Sequence, residues 1–266
     1  MTLSNIGNPG AVAARDHFDM PNPVSDPPAA EPADDPAVAP AGAPAGAPAD
    51  AWRTTVRRLP ELAVVERADV EAILDAGLVA HVGFTAGDRP YVLPMAYARI
   101  GADLFLHGSV ASRLVRALGS GARVCATVTI LDGIVLARSA FNTSMNYRSV
   151  MVMGETETIT DPEARARVFE ALLERLVPGR SDAVRAPNAS ELRQTHVVRL
   201  PVDVWSAKVS SGPPDDETED LTFPVWAGEI PLRLVADAPV AAPGLAEQML
   251  TDAPDARAVH GTWSAP

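Results

Sequence analysis

The sequence predicts a mainly β (α+β) fold, a small closed or split antiparallel β-barrel with peripheral helices. Three observations carry that prediction. Short runs dense in β-branched and aromatic residues recur between Gly, Asp and Pro turn signals, as in residues 78–107. Only two or three segments carry the i, i+3, i+4 apolar spacing of a helix, and they do not alternate one for one with the strands. A βαβ repeat therefore fits poorly, and no repeat of fixed period is present.

In chain order, residues 69–76 (DVEAILDA) place Val70, Ile73 and Leu74 on one helix face, with Gly77 as a stop. Residues 78–85 (LVAHVGFT) and 91–99 read as strands across a turn at 86–90 (AGDRP). A turn at 101–103 leads to a third strand at 104–107, completing a meander. Residues 111–118 (ASRLVRAL) form a short helix, with Ser109 able to cap it. Residues 123–136 read as one long strand, or as a hairpin turning at 131–133 (LDG). Residues 147–160 give another long strand, and Asp161-Pro162 opens a helix to residue 177. Strands at 194–200 and 202–209 close the set.

Composition bounds the rest. The chain holds 266 residues with 25 prolines, and residues 1–52 are rich in Pro and Ala without any periodic apolar face. Such a stretch cannot bury enough surface to offset its chain entropy, so a disordered acidic tail is expected there. A barrel domain is expected over 53–236 and a partly disordered extension over 237–266. A net charge of −12 argues against a nucleic-acid binder, which needs a basic face. No basic leader followed by an apolar core opens the chain, and no run reaches about 18 apolar residues, so no membrane span is expected. The one cysteine, Cys125, lies in an apolar run and fits a reducing, cytoplasmic location. Lys208 is the single lysine among 22 basic residues; the arginines suit bidentate recognition of phosphate or carboxylate.

Most catalytic signatures are absent: G-x-G-x-x-G after a strand, the P-loop, H-E-x-x-H and G-x-S-x-G. The five histidines show no metal-ligand spacing, and no metal site is expected. Two segments remain. In His107-Gly108-Ser109-Val110-Ala111-Ser112-Arg113 a strand ends in a small-residue turn before a helix. That reads either as an anion site or as a capped helix with a solvated arginine. Residues 139–149 (SAFNTSMNYRS) read as a plain loop or as a binding loop, with Arg148 and Ser149 held by the next strand. Tyr147 would stack on an aromatic ring or cover the core.

Several stretches in order, HVGF at 81–84, PYVLPMAY at 90–97, LHGSVASR at 106–113, the long run 123–155 and VWAGEIPL at 225–232, resemble one family. Residues 55–234 are similar to the FMN-binding split-barrel superfamily that includes pyridoxamine 5′-phosphate oxidase, and to its nitroimidazole-resistance branch. The resemblance implies a homodimer with FMN at the subunit interface. It implies flavin contacts from Pro94, Met95, Ala96 and Tyr97, from His107, Gly108 and Ser109, and from Tyr147, Arg148 and Ser149. The family's phosphate motif falls on Ser112 and Arg113, with its lysine replaced by Leu114. The C-terminal Arg-x-His segment of the true oxidases has no counterpart in 205–212 (WSAKVSSG), so pyridoxamine phosphate oxidation is not expected. The implied activity is an FMN-dependent, flavin-reductase- or nitroreductase-like oxidoreductase acting on a small acceptor, with His107 touching substrate. Two alternatives stand beside it: a non-catalytic sensor or storage barrel for flavin, haem or another small ligand, and an F420-dependent reductase.

Overall fold

Alternation of buried and exposed side chains sets the sheet. In the computed structural model, which describes residues 54–246, 253–255 and 259, ten strands are present among the described residues. They are β1 (Ala63–Val64), β2 (Val79–Ala86), β3 (Arg89–Ile100), β4 (Asp103–Ser109), β5 (Arg123–Leu136), β6 (Ser144–Glu155), β7 (Glu157–Thr158), β8 (Thr195–Pro201), β9 (Val204–Ser210) and β10 (Gly228–Pro231). Neighbouring strands run β1-β9-β6-β5-β2-β3-β4-β8-β7, with β10 added to β5, and every pair is antiparallel. The helices are α1 (Arg67–Ala76), α2 (Arg113–Gly119), α3 (Pro162–Leu176), α4 (Arg180–Ala183) and α5 (Ala189–Gln194). This is the split antiparallel barrel that the sequence predicts. The expected tail over 1–52 lies outside the described residues.

Two tight hairpins build the meander. Ala86 pairs with Arg89 and Ile100 with Asp103, leaving two-residue loops led by Gly87 and Gly101, both at positive φ. A glycine leading such a loop matches the twist of the flanking strands. β3 pairs with β2 through Ala96 and with β4 from Tyr97 onward, so it carries the sheet around a corner. The segment 123–136 is one strand. At 131–133 the register against β6 shifts between Leu131 and Gly133, which is a bulge rather than a hairpin turn. The strand expected over 147–160 starts earlier, at Ser144, and breaks at Thr156, whose hydroxyl donates to the Leu118 carbonyl at 2.6 Å. After that break β7 pairs with β8 instead.

The barrel interior holds Leu74, Val82, Leu104, Leu106, Val128, Val150, Val152 and Leu200, all at most 1% exposed. A second, smaller core forms outside the barrel, where Val168 and Leu172 of α3 pack on Ala98 and Val197 with Phe105 and Phe169 at the edge. Asp161 caps α3, accepting the Ala164 N–H at 2.7 Å, as its Asp-Pro start foretells. The helix expected from residue 111 instead begins at Arg113. Ser109 does not cap it; its Oγ accepts the Ala111 N–H at 3.2 Å in the preceding turn.

One network ties α1, β3 and α3 together. The Tyr97 hydroxyl donates to the Leu74 carbonyl at the end of α1 and lies 3.2 Å from the Gly77 carbonyl. Arg175 of α3 donates to both carbonyls and lies over the Tyr97 ring, 4.3 Å from its centroid. Burial pushes the Tyr97 phenol up to about 12. Gly77 is where these elements converge. A Cβ there would lie 2.3 Å from Val128 Cγ1 and 3.0 Å from the Tyr97 hydroxyl, both in the core. Gly77→Ala is expected to cost about 1–3 kcal/mol by overpacking. A urea-denaturation midpoint lowered accordingly, with unchanged m-value, checks it.

Candidate functional site

Strand parity sorts the candidate residues onto two faces. Along β3, Met95 packs against the barrel core and Tyr97 is part of it, while the exposed Pro94 and the half-buried Ala96 lie in the opposite phase. Met95 and Tyr97 thus offer a ligand on the outer face their backbone alone. On that face His81 of β2 lies opposite Pro94 on one side and Thr127 on the other, and Thr127 lies opposite Met151. The Thr129 and Ser149 hydroxyls meet at 3.2 Å on the same face.

His107 lies on the continuation of this face, but α3 crosses there. Its ring packs edge-on against Phe169 with centroids 5.6 Å apart, and its Nδ1 is buried without a hydrogen-bond partner. Burial pushes its pKa below 6.5. The structure therefore gives His107 a packing position under α3, and it does not line the cleft described below. Gly108 has a packing reason as well: a Cβ there would come within 2.6 Å of Val115 Cγ2, so glycine lets α2 approach β4. Ser112 stands at the start of α2 with no capping bond from its side chain, and Ser109 is exposed. The Arg113 side chain, expected to hold a phosphate, lies outside what the structure describes. α2 is only seven residues long, so its dipole adds little.

Arg148, Tyr147 and Ser149 all lie on β6, as expected. Arg148 is committed: its Nε and Nη2 donate to both oxygens of Asp132 at 2.9 and 2.7 Å. This bidentate pair raises the arginine's pKa further, so Arg148 remains cationic and a phosphate would have to displace Asp132 to claim its fork. Asp132 is the residue released by the β5 bulge, and its carbonyl also accepts the Leu232 N–H at 2.8 Å. That bond continues the β10–β5 pairing and draws residues 231–234 beside the bulge. Farther back, the same C-terminal segment is pinned by Asp216. Its carboxylate is only 2% exposed and accepts from the Arg138 backbone at 2.7 Å and from its guanidinium at 2.6 Å.

These elements enclose a cleft of about 820 Å³. The α1–β2 turn (76–79) and the bulged part of β5 (129–132) form its base; residues 231–234, His81 and Arg148 complete the lining. It falls within the roughly 300–1,000 Å³ typical of small-molecule and cofactor sites. The lining is largely aliphatic, with Arg148 and Arg233 as its cations. Of the predicted residues, Arg148 alone lines this cleft; Pro94 and Ser149 share the outer face beside it. Sequence reading missed His81, Asp132 and the 231–234 arm. The available signal for His81 was its place between the inward Ala80 and Val82, which turns it outward.

Among the described residues no cluster of three or more His, Cys, Asp or Glu lies together, and no helix is long and apolar enough to cross a membrane. The His107 assignment has a pH consequence. A folded pKa below 6.5 means that the unfolded chain takes up a proton first as pH falls. The neutral ring's contribution is thus present above pH 6.5 and is lost as pH drops through the folded value. His107→Phe, which keeps an aromatic ring against Phe169, is expected to flatten this acid-side loss. Urea midpoints of the two proteins on either side of pH 6.5 measure it.

The family described as pyridoxamine 5′-phosphate oxidase matches residues 66–209. Among solved structures, the FAD and haem binding protein from Mycobacterium smegmatis is 37% identical, with a TM-score of 0.71, over 76% of this chain and 98% of that one. The flavocytochrome Anf3 from Azotobacter vinelandii is 40% identical, with a TM-score of 0.69, over 75% of this chain and 95% of that one. A Bacteroides thetaiotaomicron protein described as a 5-nitroimidazole antibiotic resistance protein shares 22% identity and a TM-score of 0.46 over 55% of this chain and 86% of that one. No curated protein matches the chain.

Proposed function

The chain belongs to the pyridoxamine 5′-phosphate oxidase family, and we propose that within it this is a redox protein binding a flavin together with haem. One observation carries the reading. The two relatives at 37% and 40% identity, matched over nearly their whole length, are an FAD and haem binding protein and a flavocytochrome. The flavin is proposed as FAD in place of the FMN that the sequence suggested, because the first of these relatives binds FAD.

The residues fit both groups. For the flavin, the outer face of β3 offers Pro94 and Ala96, on the side of β2 away from the cleft. Ser109 and Ser112 offer hydroxyls at the β4–α2 turn. For haem, the cleft supplies aliphatic walls, two arginines and an imidazole. Bound flavin supplies hydride chemistry and bound haem one-electron chemistry. The protein's part is to orient, desolvate and charge-balance. Val79, Ile130, Leu131, Leu232 and Leu234 exclude water from the cleft. The Arg148–Asp132 pair fixes a cation at its end without leaving net charge in the wall.

Reducing equivalents are proposed to pass to a small acceptor, the class that the sequence suggested. The active unit is proposed as a homodimer. In the C-terminal arm Phe223, Trp226, Leu234 and Val235 are each about 60% exposed, an apolar strip of the kind that a second copy covers. Visible absorbance of the purified protein tests the cofactors: flavin bands and a Soret band are expected, and acid extraction should release FAD. A colourless protein that takes up neither added flavin nor added haem overturns the reading.

A further inference from the structure

We propose that His81 is the axial ligand of a haem iron bound in the cleft between the α1–β2 turn, the β5 bulge and the 231–234 arm. The inference rests on the flavin-and-haem reading above and gives that reading an address.

Protein ligands to haem iron are imidazole, thiolate, thioether or phenolate. The cleft is lined by fourteen residues, and His81 alone among them carries any of these groups. The other described histidines are placed against it. His107 lies under α3 with its ring against Phe169. His196 is wedged beside Gly119, where its Nε2 would stand 2.6 Å from an added Cβ, and its cavity with Thr158 and Arg193 measures only about 200 Å³. His81 is exposed at the mouth of a space about four times that size.

The rest of the lining suits a porphyrin, which needs apolar contact on its faces and cations at its propionates. Val79, Ile130, Leu131, Leu232 and Leu234 supply the first, and Arg233 lines the same cleft as a cation, the Arg148 fork being held by Asp132. No protein metal cluster is required, because the porphyrin nitrogens fill four positions and one imidazole completes the proximal side. The register then puts the ligand beside the strand expected to hold the flavin. His81 is the direct cross-strand partner of Pro94, so the iron ligand and the strand expected to hold the flavin are neighbours in the sheet, about 4.8 Å apart.

The test is titration of the full chain with ferric protoporphyrin IX, read by the Soret band and by the low-spin imidazole signature in electron paramagnetic resonance. Three variants accompany the wild type: His81→Ala, His107→Ala and His196→Ala. His81 is exposed, so its removal empties no core, and flavin content and far-ultraviolet circular dichroism should be unchanged. His81→Ala is expected to lose the imidazole signature and to weaken haem affinity on the order of tenfold or more. Added free imidazole should restore the signature, which a merely structural defect would not allow. The other two variants should keep the wild-type spectrum. If wild type binds haem and His81→Ala retains the same signature and affinity, the ligand assignment is overturned while the haem reading stands. If wild type takes up no haem, both fall.

Discussion

The β5 bulge at Asp132 is the constraint on which the cleft depends. One extra residue in β5 relative to β6 leaves Asp132 outside the ladder, and its carboxylate and carbonyl are then used elsewhere. Its carboxylate grips Arg148 from the facing strand, and its carbonyl takes the Leu232 N–H. The first bond holds a guanidinium at the end of the barrel; the second starts the arm that walls the cleft. Without the bulge, β5 would pair regularly through Leu136, and neither the arginine nor residues 231–234 would have this anchor. A local irregularity in the ladder is thus what opens the sheet into a binding surface.

A second constraint keeps that surface still. The base of the cleft is the α1–β2 turn, and this turn is fixed from below by Tyr97 and Arg175, which occupy the carbonyls that α1 leaves unsatisfied. Arg99 adds a further tie to Asp75 of α1 at 2.7 Å. The network uses side chains from β3 and α3, so movement of α1 would disturb both cores. Rigidity of this kind is what a cofactor site on a strand requires, since its ligands must be held by groups that do not themselves move.

How much of this the sequence discloses depends on whether the deciding neighbour is near in sequence. The strands, the two glycine-led hairpins, the Asp161 cap and the face of α1 all follow from residues within one turn or one pleat of each other. The bulge does not. The triplet Leu131-Asp132-Gly133 has the composition of a turn, and only pairing with β6 and β10 on both sides keeps β5 running through it. The resemblance makes Tyr97 a flavin contact, and only the phase of β3, fixed by its pairing with β2 and β4, places its ring in the core. β1 and β7, two residues each, carry no period at all.

The two histidines make the same point about function. His81 and His107 both lie on the outward phase of their strands, and from sequence His107 draws attention because it ends a strand before a small-residue turn. What separates them is α3, whose residues lie some sixty positions farther along the chain and whose Phe169 covers His107 while leaving His81 bare. Burial then gives His107 a depressed pKa and a buried Nδ1 with no partner, properties that resemble those of a catalytic group but arise here from packing. His81 opens onto a cleft with aliphatic walls and cations. A perturbed pKa identifies a site only when a cavity adjoins it; at the uncovered half of this sheet, the cavity is the better guide to where a ligand can bind.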